Sequence, residues 1–162
     1  HSGNYCFTER ELYKIKKAGV PISFDFSDDS TEEYYKAIAP FVDFAFMSCS
    51  EMSEQDIIDR LNNVFACGPN FVLASRGAQG CIAFDGNRYY MQAALPVKNM
   101  VDTMGAGDAL ITAFMVAYIA RSKAKGAVEE ADVSECLYTA ADFASLACGF
   151  EGAWGYPKKY EK

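Results

Sequence analysis

Histidine occurs once in this sequence, as His1, and tryptophan once, as Trp154. A lone histidine argues against imidazole-based zinc sites and against a Ser-His-Asp relay. No two cysteines form a Cys-x-x-Cys pair. Cys6, Cys49, Cys67, Cys81, Cys136 and Cys148 are scattered, several of them inside apolar runs such as Cys81-Ile82-Ala83-Phe84. They read as small core hydrophobes in a reducing compartment, with a disulfide framework the lesser alternative. Long hydrophobic runs are also missing: the longest, Ala109 to Ala120, contains Thr112 and Tyr118 and is too short to span a bilayer. No signal-peptide pattern opens the chain, so a soluble, cytoplasmic protein without a membrane partner is expected. Basic residues are outnumbered, 15 Lys and Arg against 22 Asp and Glu, for a formal charge of −7. That balance argues against a nucleic-acid surface. It leaves small anions open, because backbone N–H groups hold those without Lys or Arg.

What is present is enough apolar material for a core: 51% of the 162 residues are apolar and 14% aromatic. Disorder is excluded on that ground, and the length fits one compact domain without an interdomain linker. Thr8 reads as a helix cap, with Glu9 and Glu11 in the first turn, Lys14, Lys16 and Lys17 in the last, and Gly19 as the stop. Val20 to Phe26 follows as a buried strand. The alternation repeats: a helix from Thr31 to Ala39 ended by Pro40, a strand from Val42 to Met47, a helix from Ser53 to Phe65, and a strand from Phe71 to Ala74. Helices between short apolar strands predict βαβ units and an α/β fold with a largely parallel sheet. Asp85-Gly86-Asn87 between Cys81–Phe84 and Arg88–Met91 predicts a hairpin. Two longer helices are expected, over Gly107–Arg121 and over about Glu130–Cys148, before a turn-like tail, Gly152 to Pro157.

The chemistry concentrates in Asp102-Thr103-Met104-Gly105-Ala106-Gly107-Asp108, ahead of an apolar helix. Two glycines let the backbone turn tightly and approach a ligand. The N–H groups of Gly105, Ala106, Gly107 and Asp108 would be free at a helix N-terminus, where the helix dipole favours an anion such as a phosphoryl group. Asp108 has two readings there. It is a helix cap or a favourable N-terminal charge, with the cap favoured on spacing alone, or it is a general base that takes a proton from an attacking hydroxyl.

The whole of that motif resembles the C-terminal signature of the PfkB, or ribokinase-like, carbohydrate kinases. It is not a Walker A loop, which ends in Gly-Lys-Ser/Thr. The resemblance implies a ribokinase-like three-layer α/β/α fold and an ATP-dependent kinase using Mg2+. It makes Asp108 the catalytic base and Gly105, Ala106 and Gly107 the anion hole. Ser75-Arg76-Gly77-Ala78-Gln79-Gly80, directly after a strand, is similar to the family's Thr-x-Gly-x-x-Gly nucleotide loop, with Ser75 keeping the hydroxyl. Taken alone it is an ordinary glycine turn. With the first motif beside it, Ser75, Gly77 and Gly80 are expected at ATP.

Small residues in Ala144–Gly149 and Gly152-Ala153 fall where the family holds adenine, which puts Ser145, Cys148, Gly149 and Gly152 at the nucleotide; close helix packing explains each of them equally well. The family also uses a monovalent cation such as K+, for which Asp102 is the matching side chain. Where many members carry Asn-x-x-Glu to organise Mg2+ and water, this chain has Ser48-Cys49-Ser50-Glu51. Glu51 is the candidate carboxylate, against a solvated helix start formed by Glu51 and Glu54.

Phe24-Asp25-Phe26-Ser27-Asp28, Asp43-Phe44-Ala45-Phe46 and Gly152-Ala153-Trp154 are similar to the members that phosphorylate fructoselysine. The resemblance therefore implies phosphorylation of a primary hydroxyl of a sugar or sugar derivative of that class. Two alternatives stay open: a nucleotide-binding or regulatory fragment without activity alone, and a PfkB kinase for a non-sugar alcohol or nucleoside. Family members are about twice this length. Residues 1–162 are thus expected to be the C-terminal part of the kinase domain, without the N-terminal half and lid that supply most sugar contacts. An exposed strand edge beside Val20–Phe26 is then expected, covered by that half or by a second copy of the chain.

Overall fold

The computed structural model describes residues 1–153 and Gly155. Trp154, Tyr156 and Pro157, named above in the tail, lie outside the described residues. The chain divides into two compact units, His1–Met91 and Gln92–Lys162.

The first unit is built on a six-stranded sheet whose spatial order follows the chain: β1 (Ser2–Gly3), β2 (Ser23–Asp25), β3 (Phe44–Ser48), β4 (Phe71–Ser75), β5 (Cys81–Phe84) and β6 (Tyr89–Gln92). β1 to β4 run parallel, and β5 is antiparallel to β4. Three helices connect the parallel strands: α1 (Glu9–Lys17), α2 (Glu32–Ile38) and α3 (Glu54–Phe65). Register sets which side chains share a face. Phe24, Ala45, Val72 and Phe84 lie opposite one another, as do Ala74 and Ile82. With Phe26 and Met47 they meet Leu12 of α1, Tyr35 and Ile38 of α2, and Ile57, Leu61 and Val64 of α3 in one buried cluster. The alternate positions, Phe46, Leu73, Cys81 and Ala83, are buried too. Apolar residues on both faces are what a parallel sheet requires.

Local chemistry explains where the elements stop, and it corrects several expected boundaries. Thr31 and Ser53 cap α2 and α3, accepting from the N–H groups of Tyr34 and Asp56 at 3.2 Å each. Thr8 does not cap α1 through its side chain: its hydroxyl pairs with that of Ser2, and its backbone is not extended. The strand expected over Val20–Phe26 shrinks to Ser23–Asp25. The Val20 N–H still closes the end of α1 on the Ile15 carbonyl, and Pro21 has no N–H to give a ladder. Pro40 ends α2 as expected, since the α-helix stops at Ile38. It sits in the first turn of a 3-10 segment, Ala39–Phe41, where its fixed φ is accommodated. The edge expected beside Val20–Phe26 is occupied by β1, through Ser2↔Phe24 and Gly3↔Asp25.

The hairpin forms as expected. Asp85 Oδ1 accepts from the N–H groups of Asn87 and Arg88 at 2.8 and 2.9 Å, and Oδ2 accepts from the Tyr90 hydroxyl at 2.7 Å. Burial alone would raise the Asp85 carboxyl. The Tyr90 hydroxyl and the two N–H donors outweigh it and hold the group below the usual carboxylate range.

The second unit is dominated by α4 (Ala106–Lys125) and α5 (Glu130–Ala147), which pack along each other. α4 is longer than expected at both ends. It runs to Gly126, whose φ of 81° ends it. Its last turns are tied to the start of α5: Lys125 Nζ lies 2.7 Å from Asp132 Oδ1, and Arg121 donates to Glu135 at 2.8 Å. Glu129 and Asp132 form a capping box at the start of α5. The Lys125 ammonium first, and the Glu129 N–H second, hold the Asp132 carboxyl below its ordinary value. All six cysteines are free thiols. Among the described residues, no helix is long and apolar enough to cross a membrane.

Candidate active site

The expected anion loop sits at the start of α4. Gly105 is the N-cap, in the left-handed region at φ 78°, ψ 0°, and α4 begins one residue earlier than the spacing suggested. Two constraints demand glycine there. L side chains rarely adopt this φ, and a Cβ at Gly105 would lie 2.7 Å from the Ala153 Cβ and 2.8 Å from the Ala153 Cα. The Ala106 N–H is committed to the Thr103 carbonyl at 3.2 Å, and the Ala109 N–H to the Gly105 carbonyl at 2.9 Å. The N–H groups of Gly105, Gly107 and Asp108 find no acceptor among the described residues. Free amides at the positive end of a 20-residue helix form an anion-binding surface.

Asp108 occupies the third position of α4 and is exposed. Its carboxylate makes no cap hydrogen bond, since the N-cap is Gly105. Asp108 is therefore not a cap but an acidic first-turn residue, a favourable charge at the helix N-terminus, with its carboxylate exposed beside the free amides. That arrangement can receive a proton close to a bound anion.

Asp102 is held by two main-chain donors. Oδ1 accepts from the Met104 N–H and Oδ2 from the Gly152 N–H, each at 3.0 Å. These donors, Met104 first and Gly152 second, hold its carboxyl below the usual carboxylate range. The chain beside it is fixed as well: the N–H groups of Val101 and Asp102 donate to the Cys148 carbonyl at 2.9 and 3.3 Å. Each carboxylate oxygen accepts a single N–H and keeps further acceptor capacity.

The residues expected near a base lie at the end of α5. Cys148 is buried, Gly149 is exposed and Ser145 is half-buried. The Ser145 hydroxyl donates to the Asp142 carbonyl at 2.8 Å, and the Gly152 N–H is spent on Asp102.

In the first unit, Ser75 ends β4 and lies opposite Ser48, which ends β3. This is the carboxyl edge of the parallel strands, where open α/β sheets bind ligands. The loop beyond is a 3-10 turn, Gly77–Gln79, closed by the Arg76 N–H on the Gly80 carbonyl at 2.7 Å. Gly77 is exposed, at φ 55°, and a Cβ there would meet Ser50 Oγ at 3.3 Å. Gly80 is buried and gives its N–H to the Gly77 carbonyl, so its role is to shape the turn.

Glu51 is exposed in the adjacent loop, whereas Glu54 pairs with Arg76 at 3.4 Å. Arg76 also donates to Gln79 at 2.8 Å, and its Nε is buried with no partner among the described residues. Sequence reasoning missed Arg76. Its partner Glu54 is 22 positions away and no spacing rule links them. Among the described residues, no group of three or more His, Cys, Asp or Glu side chains could hold a metal ion by itself. An exposed carboxylate such as Glu51 suits Mg2+, which keeps most of its waters and uses few protein ligands beside phosphate.

Comparison with known proteins identifies the family and the fold. The model of the pfkB family carbohydrate kinases matches residues 4–158. The fructosamine kinase FrlD of Bacillus subtilis is 32% identical over 160 residues, which are 99% of this chain and 52% of that protein. The fructoselysine 6-kinase of Escherichia coli is 32% identical over 120 residues, 74% of this chain and 45% of that protein. Among solved structures, a microbiome-derived acarbose kinase superposes with a TM-score of 0.73 at 22% identity, covering 93% of this chain and 49% of that one. Arabidopsis thaliana ribokinase complexed with ribose and ATP gives 0.69 at 26% identity, covering 88% and 46%. The fold is thus ribokinase-like, and the chain spans about half the length of the curated relatives it matches. From its sequence motif, its mostly parallel sheet and these relatives, the chain belongs to the pfkB family of carbohydrate kinases.

Proposed function

We propose that residues 1–162 are the nucleotide-binding and catalytic part of an ATP-dependent kinase that phosphorylates a primary hydroxyl of a sugar derivative of the fructoselysine class. The observation that carries this reading is the start of α4. The N–H groups of Gly105, Gly107 and Asp108 are unengaged among the described residues, and the Asp108 carboxylate stands exposed beside them. The acceptor class rests on the two relatives at 32% identity, a fructosamine kinase and a fructoselysine 6-kinase.

In the reaction, Asp108 accepts the proton of the acceptor hydroxyl as its oxygen forms a bond to the γ-phosphorus. The bond from that phosphorus to the β–γ bridging oxygen breaks, and ADP leaves. The free amides of α4 stabilise charge on the transferring group, where preorganised donors help most. Bound Mg2+ supplies charge neutralisation on the phosphate oxygens, and Glu51 would hold it through water. The resemblance assigns Ser75, Gly77, Ser145, Cys148 and Gly149 to the same nucleotide. The same resemblance assigns Gly80 and Gly152 to the nucleotide; Gly80 shapes its turn and the Gly152 N–H is held by Asp102.

The test is a coupled assay of ADP release by the full-length protein with fructoselysine, fructose, ribose and a nucleoside as acceptors. Fructoselysine is expected to give the highest kcat/KM. No acceptor-dependent ADP release with any of the four would sink the reading. A second reading, that this chain alone binds nucleotide without turnover, is favoured by its covering 52% of its B. subtilis relative. Nucleotide binding by residues 1–162 without ADP release would support it.

A further inference from the structure

Among the described residues, Arg76 Nε is the buried side-chain nitrogen or oxygen that finds no partner. The backbone of Arg76 is fixed, since its N–H closes the loop after β4 on the Gly80 carbonyl at 2.7 Å. Its side chain is mostly out of water, 14% exposed, yet the guanidinium is loosely held. Nη1 faces Glu54, a carboxylate 52% exposed, at 3.4 Å, the geometry of a weak surface pair. Nη2 donates to Gln79 at 2.8 Å. Withdrawing a charge from water and leaving one of its donors unanswered is costly, so a mere staple between this loop and α3 would be served better by apolar side chains. The position in the fold matters as well. Arg76 follows Ser75, the last residue of β4, at the edge of the sheet where open α/β folds bind ligands. The segments assigned above to the nucleotide, residues 75–80, 102–108 and 145–152, contain the carboxylates Asp102, Asp108 and Glu151 but a single cation, Arg76.

We propose that Arg76 is a phosphate-binding residue whose guanidinium leaves Glu54 and Gln79 to grip the phosphate chain of the bound nucleotide. The proposal rests on the kinase reading above. A guanidinium is always charged and presents its donors in a planar fork that matches two phosphate oxygens. Exchanging a half-exposed carboxylate at 3.4 Å for a phosphate replaces a screened pair by charge-assisted hydrogen bonds. Turning the head of the side chain also releases Nε from its enclosed position. Glu54 is then a competitor that holds the arginine before the nucleotide arrives and gives it up at little cost. Gly77, the next residue, is exposed and has no side chain to block the approach.

The experiment measures the binding of ADP and of adenosine to the full-length protein by calorimetric titration, for wild type, Arg76→Gln, Arg76→Lys and Glu54→Gln. Arg76→Gln is expected to weaken ADP by about 10- to 100-fold, the range for hydrogen bonds to a charged group. Adenosine, which carries no phosphate, stays within about twofold of wild type. Arg76→Lys keeps the charge but loses the fork, and its ADP affinity falls between the two. Glu54→Gln is expected to tighten ADP by about two- to fivefold, the worth of an exposed pair. In steady-state kinetics Arg76→Gln raises the KM for ATP and leaves the KM for the sugar unchanged. Equal losses of ADP and adenosine would show a staple for the loop and overturn the proposal. So would ADP affinity within about twofold of wild type in Arg76→Gln, or ADP binding no tighter in Glu54→Gln. If Arg76→Gln does not fold, Arg76→Lys and Glu54→Gln decide by the same comparison of ADP with adenosine. Wild-type protein that binds neither ligand removes the kinase reading itself, whereas wild type that binds ADP no better than Arg76→Gln removes the role of Arg76 alone.

Discussion

Gly105 and Ala153 approach so closely that a Cβ on Gly105 would stand 2.7 Å from the Ala153 methyl. The substitution Gly105→Ala therefore meets two penalties. One is a left-handed backbone strain of about 1–2 kcal/mol. The other is a clash that must push apart the loops on either side. The expected result is a protein that keeps its secondary structure but loses nucleotide affinity by at least about tenfold, a loss of roughly 1.4 kcal/mol. Calorimetric titration of the full-length variant with an ATP analogue measures this directly, and unchanged affinity would show that the turn is not part of the nucleotide site.

Asp108→Asn keeps size and hydrogen-bonding capacity but removes the proton acceptor. General-base catalysis contributes about 10²–10⁴-fold, so kcat should fall by that range. ATP affinity should hold or improve slightly, since a negative charge beside the phosphate is removed. The check pairs steady-state kinetics with equilibrium binding; normal turnover would reassign the base.

Glu51→Gln tests the Mg2+ assignment. If Glu51 orders the waters around the ion, the Mg2+ concentration needed for half-maximal activity should rise about tenfold, the usual effect of losing an outer partner of a metal. Titrating Mg2+ at fixed ATP reads it. The same midpoint in variant and wild type would leave Glu51 as a solvated loop residue.

The α4–α5 junction makes a pH-dependent prediction. Asp132 is held below its ordinary pKa, chiefly by Lys125. Its ionised form therefore stabilises the fold above the unfolded value of about 3.9. That contribution is lost as pH falls through the lower, folded value. Asp132→Asn should melt at a lower temperature than wild type at pH 7, and the gap should narrow as pH drops below about 4. Thermal melts across that range check the sign. A gap that stays constant with pH would mean the loss comes from packing and not from charge.

Much of the fold was legible because its signals are local. The helices expected from Thr31 and Ser53 form, with those two residues as their caps. Asp85-Gly86-Asn87 makes the hairpin because an Asp side chain can satisfy the N–H groups that follow it. The boundaries that shifted did so where a residue of a neighbouring element intervened. Thr8 pairs its hydroxyl with that of Ser2 and leaves the cap unmade. α4 runs on to Lys125, where Asp132 of the next helix receives the ammonium.

The candidate site divides in the same way. Asp102 to Asp108 could be recognised as an anion-binding turn because two glycines and a carboxylate ahead of an apolar helix are a contiguous pattern. The family followed from that pattern. The free amides expected at Gly105, Gly107 and Asp108 are unengaged among the described residues, whereas the loss of the Ala106 N–H to Thr103, the clasp between Asp102 and Gly152, and the Arg76–Glu54 pair were decided only by the tertiary structure. Dihedral preference and side-chain period act over a few residues and are written in the chain order. Which donor meets which acceptor across 22 or 50 positions depends on where the packed core brings the backbone, and no local pattern encodes that.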